Sequence, residues 1–268
     1  MQSKKPIGNI TRGTTNPNRL RRVDRYIAAQ PDIRAETDPI VVDLGFGANP
    51  TTAIEMLERL SSVQPEIIVV GIEIDRERVN KALPFQTHNL LFGLGGFEVP
   101  LPKPLKANDR VTVIRALNVL RQYDESEVKS AWELMQARLT DNGFIVEGTC
   151  DEIGRIASWV TLNQTGTQLF TISLKLRGLS KPSKVAERLP KALIHHNVEG
   201  ESIHRLLFEL DTAWATHAPL GIFSPAQRFV ACAKDLRAKG WPITLEPKRW
   251  RLGELTLSWE SVAPLNFR

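Results

Sequence analysis

An α/β fold, with a doubly wound parallel sheet and an antiparallel C-terminal end, is what this sequence predicts. Three observations carry the expectation. Up to about residue 150, short apolar runs alternate with segments of helical periodicity, the pattern of successive β-α-β units. The first run, Pro39 to Asp43, passes into the glycine turn Gly45-Phe-Gly47, the kind of strand-to-helix connection such units use. Beyond residue 150, apolar and polar residues alternate, as in antiparallel strands. The right-handed crossover rule then makes the first half a three-layer αβα sandwich.

The elements follow in order. After the glycine turn, Asn49 reads as a helix N-cap and Pro50 as the first helical residue, with Ala53, Ile54, Leu57 and Leu60 as the apolar face. Glu66 to Glu73 is a second strand, apolar on both faces. A polar helix from Arg76 to Ala82 stops before Pro84, and Leu90 to Phe92 is a short third strand. The stretch Pro100 to Lys106 reads as a loop, and Val111 to Ala116 as the fourth strand. Asp124 and Glu127 form a capping box for a helix striped by Val128, Ala131, Trp132, Met135 and Leu139. Asp141-Asn142-Gly143 then turns the chain into a fifth strand, Phe144 to Glu147.

In the second half, Ile156 to Leu162 and Phe170 to Leu176 flank Asn163–Gly166 as a half-exposed hairpin. Ile203, Leu206, Leu207, Leu210 and Trp214 stripe one helix. Phe229, Val230, Ala233 and Leu236 stripe another, which Ser224 caps, Pro225 starts and Gly240 ends. Leu255, Leu257 and Trp259 alternate with polar residues in a last strand. Two domains are expected: a basic arm and helix over 1–34, and the α/β domain over 35–268, with the hairpin and added helices from about 151.

Composition excludes several classes. A chain of 268 residues that is 42% hydrophobic and 24% charged is neither disordered nor collagen-like, and no apolar run approaches a membrane span. The N-terminal stretch has no apolar core of a secretory signal, and Cys150 and Cys232 make neither a disulfide framework nor a zinc site. A cytoplasmic protein is the expectation, with no membrane partner. The net charge of +5 is uneven. Residues 1–25 hold seven Lys or Arg, from Lys4 to Arg25, against Asp24 alone, so the remaining chain is slightly acidic. From Asn18 onward this arm reads as a helix, with Leu20, Val23 and Ile27 on one stripe and Arg21, Arg22 and Arg25 beside it. A helix docked by that stripe would roof a cleft with arginines, which makes Arg21, Arg22 and Arg25 candidate substrate contacts for an anionic acceptor, RNA or a small acidic molecule.

The segment Asp43-Leu44-Gly45-Phe46-Gly47-Ala48-Asn49-Pro50 carries the chemistry. Glycine lets a backbone turn sharply beside a ligand. A carboxylate two residues ahead repels a pyrophosphate, and Pro50 stands where a dinucleotide motif wants glycine, so a nicotinamide-dependent oxidoreductase is disfavoured. The segment resembles the first motif of the class I S-adenosylmethionine-dependent methyltransferases, an acidic residue followed by alternate glycines, departing at Asn49 where a third glycine would stand. Glu73 in VVGIEID matches their acidic strand end, with Asp75 the weaker alternative. The resemblance covers about 38–150. A more local likeness, through GTTNPNRLRR, RALNVLRQYDE, EGTCDE and RLPKALIHHNV, is to a group of bacterial methyltransferase-like proteins without an assigned substrate.

The resemblance implies a Rossmann-like sheet and an S-adenosylmethionine site drawn from Asp43, Gly45, Phe46, Gly47, Asn49, Glu73, Ile74, Gly95, Gly96, Phe97, Arg115 and Asn118. Within it, Glu73 holds the ribose, and Gly95, Gly96 and Phe97 lie by the adenine. Asn118-Val-Leu-Arg121 at the fourth strand end lacks the prolines of exocyclic-amine methylases, and Cys150 lacks the setting of a cytosine C5 nucleophile. Asn118 and Glu147 are the candidate catalytic residues, Glu147 as a base. His195, His196 and His204 lack metal-site spacing, so no metal is expected. A non-catalytic cofactor-binding protein on the same fold is the alternative function. The acceptor and the oligomeric state are not legible.

Overall fold

The structure is a computed structural model and describes residues 5–106 and 109–267; Lys4 of the basic arm lies outside them. Eight strands form one mixed sheet in the order β3-β2-β1-β4-β5-β6-β7-β8, with helices on both sides. They are β1 (Ile40–Leu44), β2 (Ile68–Glu73), β3 (Leu90–Leu94), β4 (Val111–Leu117), β5 (Leu139–Cys150), β6 (Ile156–Asn163), β7 (Gly166–Leu174) and β8 (Glu254–Ser258). The helices are α1 (Arg21–Ala29), α2 (Pro31–Ala35), α3 (Thr51–Leu60), α4 (Arg76–Ala82), α5 (Val128–Gln136), α6 (Lys191–Ile194), α7 (Ser202–Thr216), α8 (Pro225–Ala238) and α9 (Pro247–Arg251). The chain divides into two compact units. The first is Met1–Glu147 with Glu152–Gly154 and Leu162–Gly166; the second is the remainder.

In the first unit β1 pairs in parallel with β2 and β4, and β2 with β3. The order reverses between β1 and β4, which opens a crevice at their carboxyl ends. Val41, Val42, Val69, Val70, Val113 and Ile114 are fully buried, as the two-sided apolar runs require. Helix α1 docks by Leu20, Val23 and Ile27, and by Tyr26 beside them.

Several elements depart from the sequence reading. Pro50 is the N-cap of α3, and Asn49 Oδ1 accepts the Thr51 N–H at 3.1 Å. The buried face of α3 is Thr52, Ala53, Met56 and Leu60, one step round from the expected stripe. The Asp124–Glu127 capping box heads a 3₁₀ turn that leads into α5, and Leu139 begins β5 instead of ending the helix. Asp141-Asn142-Gly143 is part of β5 and not a turn. Gly143 is there for closeness, since a Cβ on it would lie 2.8 Å from the Val111 carbonyl.

In the second unit β7 and β8 are antiparallel, with Thr171 opposite Thr256. The hairpin strand β7 is not half-exposed from Phe170 to Leu174, although Gln168 before them is exposed. Thr171 and Ser173 are as buried as Phe170 and Ile172, because Thr171 Oγ1 meets Thr256 Oγ1 at 3.0 Å and needs no water. Trp259 has left β8 for a 3₁₀ turn. The α7 stripe is buried as expected, whereas α8 buries Cys232 in place of Val230. Ser224 Oγ accepts the Gln227 N–H at 3.1 Å at the start of α8. Ser224→Ala is expected to lower stability by about 1 kcal/mol, read as a reduced urea midpoint at unchanged m-value. Among the described residues no helix is long and apolar enough to cross a membrane, and no three metal-binding side chains cluster.

Candidate functional site

The crevice at the β1–β4 switch is built from three strand ends. After β1, Gly45 and Gly47 take φ values of +70° and +87°, and the loop between them enters α3. The Gly45 N–H donates to the Ile72 carbonyl at 2.7 Å, tying the turn to β2. A Cβ on Gly45 would lie 2.8 Å from Val119 Cγ2, so a side chain there strains the backbone as well as the crevice. Gly45→Val is therefore a poor probe of ligand space alone. At the end of β2, Glu73 is 2% exposed. Its Oε2 accepts the Gly47 N–H at 3.0 Å and its Oε1 accepts the Ile74 N–H at 2.9 Å. The carboxylate thus spans the glycine turn, with Arg78 Nη1 3.6 Å from Oε2. Asp75 instead caps α4, accepting the Glu77 N–H at 2.8 Å.

A small cavity of about 20 Å³ sits among Leu44, Gly45, Glu73, Ile74, Gly95, Gly96, Phe97, Val119 and Tyr123. Six of the residues singled out from sequence line it: Gly45, Glu73, Ile74, Gly95, Gly96 and Phe97. Asp43, Phe46, Gly47, Asn49, Arg115 and Asn118 do not line it. Phe46 packs edge-on against Phe92 in the core, centroids 5.3 Å apart. Asn118 takes φ +64°, a left-handed conformation asparagine tolerates, just before the lining residue Val119.

Asp43 and Arg115 form a buried ion cluster. Arg115 is fully buried. Its Nη2 lies 2.8 Å from Asp43 Oδ2, its Nε donates to Asp43 Oδ1 at 3.1 Å, and its Nη1 donates to Asp24 of α1. Nη2 also donates to the Thr52 carbonyl at 3.0 Å, and Thr52 Oγ1 donates to Asp43 Oδ2 at 2.7 Å. Burial opposes the Arg115 charge, but Asp24 and Asp43 outweigh it and hold its pKa above the ordinary value. Asp24 is further paired with Arg59 at 2.6 Å. In the sequence reading, Asp43 and Arg115 both belong to the cofactor site. In the fold their charges are turned on each other and on α1.

Glu147 is 1% exposed, and burial pushes its pKa up to about 8, against a smaller opposing pull from the Trp132 side chain. It lies outside the cavity lining. Arg21, Arg22 and Arg25 do not line the cavity either, and the arginines of α1 are not its roof. Ile7, Asn9 and Thr11 of the preceding segment are. Sequence reasoning missed these three, along with Leu44, Val119 and Tyr123. In residues 7–15 the sequence signal is the pair Gly8 and Gly13, which take positive φ in the fold.

No protein-family model matches this chain, and no curated protein does. Solved structures resemble part of it. A putative protein-L-isoaspartate O-methyltransferase from Plasmodium falciparum, in complex with S-adenosyl-L-homocysteine, is 13% identical over 55% of this chain and 63% of its own, with a TM-score of 0.35. The N-methyltransferase NodS from Bradyrhizobium japonicum is 14% identical over 49% and 68%, with a TM-score of 0.34. The YcgJ protein from Bacillus subtilis is 22% identical over 48% and 50%, with a TM-score of 0.36. The chain spans less than two thirds of the length of the first. Likeness at this level carries no argument about what this chain binds or does.

Proposed function

We propose that this protein is an S-adenosylmethionine-dependent methyltransferase. The observation that carries the reading is the Glu73 carboxylate, held at the end of β2 across the Gly45–Gly47 turn of β1, at the switch point of a parallel sheet. The frame fits an adenosyl ligand. Two glycines at positive φ keep Cβ atoms out of the turn, and Glu73, which accepts the Gly47, Ile74 and Asp75 N–H groups, keeps one lone-pair site on Oε2 beside it. The space fits only once residues 7–15 leave, because about 20 Å³ holds roughly one water.

When bound, S-adenosylmethionine supplies a methyl group already activated by its sulfonium. The work left to the chain is binding, orientation and exclusion of water. Glu73 would accept the ribose hydroxyls, and Gly95, Gly96 and Phe97 would border the base. Val119 and Tyr123 bring apolar surface to the same cavity, with Tyr123 edge-on to Phe97 at 5.2 Å. Glu147, buried and outside the lining, is not assigned the proton-transfer role; an acceptor that must lose a proton needs another base.

Titration calorimetry with S-adenosylhomocysteine tests the reading. Glu73→Ala is expected to weaken binding at least ~10-fold, the loss of charged hydrogen bonds to hydroxyls. Asp75→Ala should cost less, since Asp75 serves α4. A larger loss at Asp75 would move the ribose contact to it.

For the acceptor, the basic arm supports an anionic molecule, RNA first and a small acidic molecule second. Arg21 and Arg25 are exposed on α1. Removing the arm is not a clean test, because Asp24 anchors Arg115. Arg21→Gln/Arg25→Gln keeps the anchor. With bulk RNA, the double variant is expected to bind more weakly and to reduce the salt slope by about 1 for each phosphate left without its arginine. An unchanged slope would remove these arginines from the acceptor site. The filled cavity also favours a second reading, a non-catalytic binding protein on this fold. Methyl incorporation from labelled cofactor into fractionated extract separates the two.

A further inference from the structure

We infer that residues 7–15 are an autoinhibitory strap that occupies the adenosyl cleft, latched by Arg78, and that the ligand enters by displacing it. This rests on the S-adenosylmethionine reading above.

The strap is pinned along its length. The Phe97 N–H donates to the Ile7 carbonyl at 3.0 Å, and the Ile7 N–H donates to Glu98 Oε2 at 2.9 Å. The Asn9 N–H donates to the Tyr123 hydroxyl, which is 3.2 Å from the Asn9 carbonyl. The Ala48 N–H, at the helix end of the glycine turn, donates to the Gly13 carbonyl at 2.8 Å. Thr15 Oγ1 donates to the Phe46 carbonyl at 3.1 Å. The strap therefore uses hydrogen-bonding groups of both the β1 turn and the β3 end, the two regions a nucleoside would have to reach.

It also uses their open space. A Cβ on Gly96 would collide with the Ile7 carbonyl, and one on Gly47 would lie 2.7 Å from the Gly13 carbonyl. The room that glycine leaves at these two positions is thus taken by this chain's own backbone. What remains at Glu73 is about 20 Å³, and a second space beside Gly8, Phe97 and Tyr123 is about 170 Å³, both below the roughly 300–1,000 Å³ of a small-molecule pocket.

Arg78 connects the strap to the proposed ribose site. Its Nη2 donates to the Thr11 carbonyl at 2.7 Å, while Nη1 lies 3.6 Å from Glu73 Oε2 and Nε 3.5 Å from Asp75 Oδ2. Hydroxyls arriving at Glu73 compete with the guanidinium for the same carboxylate. Loosening Arg78 then loosens its hold on Thr11. The strap and the ligand are mutually exclusive occupants, so strap stability subtracts from ligand affinity.

The test uses the full chain and S-adenosylhomocysteine. Gly8→Val/Gly13→Val places its substitutions in the strap and leaves Glu73, Gly95, Gly96 and Phe97 unchanged. The first new side chain meets the Tyr123 hydroxyl at 2.8 Å and the second meets Arg78, and both positions have positive φ, +138° and +67°. Calorimetry is expected to show the double variant binding at least ~10-fold more tightly than the native chain. Hydrogen exchange of the native chain should speed up across residues 7–15, and at the Ala48 amide, when the ligand is added. Thr15→Ala, which removes one hydrogen bond of the strap, should shift affinity the same way by a smaller factor. Equal affinities, or exchange across 7–15 that slows on binding, would overturn the strap as an inhibitor and leave the cofactor reading intact. No binding at millimolar ligand by the native chain or by variants that still unfold cooperatively would overturn the cofactor reading, and the inhibitory role with it.

Discussion

Arg115→Met is expected to destabilise the protein by about 3–5 kcal/mol, because it leaves Asp24 and Asp43 as buried carboxylates without their shared partner. For a chain of this size that is on the order of a 10 °C fall in Tm by calorimetry. The loss should be largely a matter of uncompensated charge at Asp43, since Asp24 keeps Arg59 at 2.6 Å. Arg115→Met/Asp24→Asn/Asp43→Asn removes the charges together and should recover half or more of it, whereas the three single changes should not add. If the triple variant were less stable than Arg115→Met, the cluster would act through its hydrogen-bond geometry instead.

Glu147→Gln is expected to stabilise the protein, and more so as pH rises. The native carboxyl has a pKa of about 8, against 4.5 when unfolded. Between these values the folded state binds more protons than the unfolded one, so native stability falls as pH increases through the window and levels off above pH 8. At 1.36 kcal/mol per unit the full effect is about 5 kcal/mol, of which about 3 kcal/mol is present at pH 7. The variant, neutral at every pH, should match the native chain near pH 4 and exceed it by that amount at pH 7. Denaturant melts at the two pH values give the comparison. Parallel stability curves for native and variant would place the Glu147 charge in contact with water.

Three buried polar residues mark where the sequence stops deciding. Asp43, Arg115 and Glu147 are polar residues on strands, and in sequence a polar residue at a strand end reads as a site residue. Whether it faces a ligand or a buried counter-charge depends on what packs opposite. Asp24 lies 91 residues from Arg115, and no local pattern reports that pairing. The half-buried alternation of β7 misleads for the same reason, since Thr256 arrives from far along the chain to satisfy Thr171.

By itself the sequence determined the strand-helix alternation, the glycine turn after β1, the acidic end of β2 and most apolar faces. Periodicity, turn chemistry and capping act within a few residues and are written locally. Only the tertiary structure decided the direction of each buried charge, the run of β5 through Asp141-Asn142-Gly143, and the path of residues 7–15 into the crevice. Those depend on contacts between segments distant in sequence, where burial makes each unpaired polar group costly and so fixes which partners must meet.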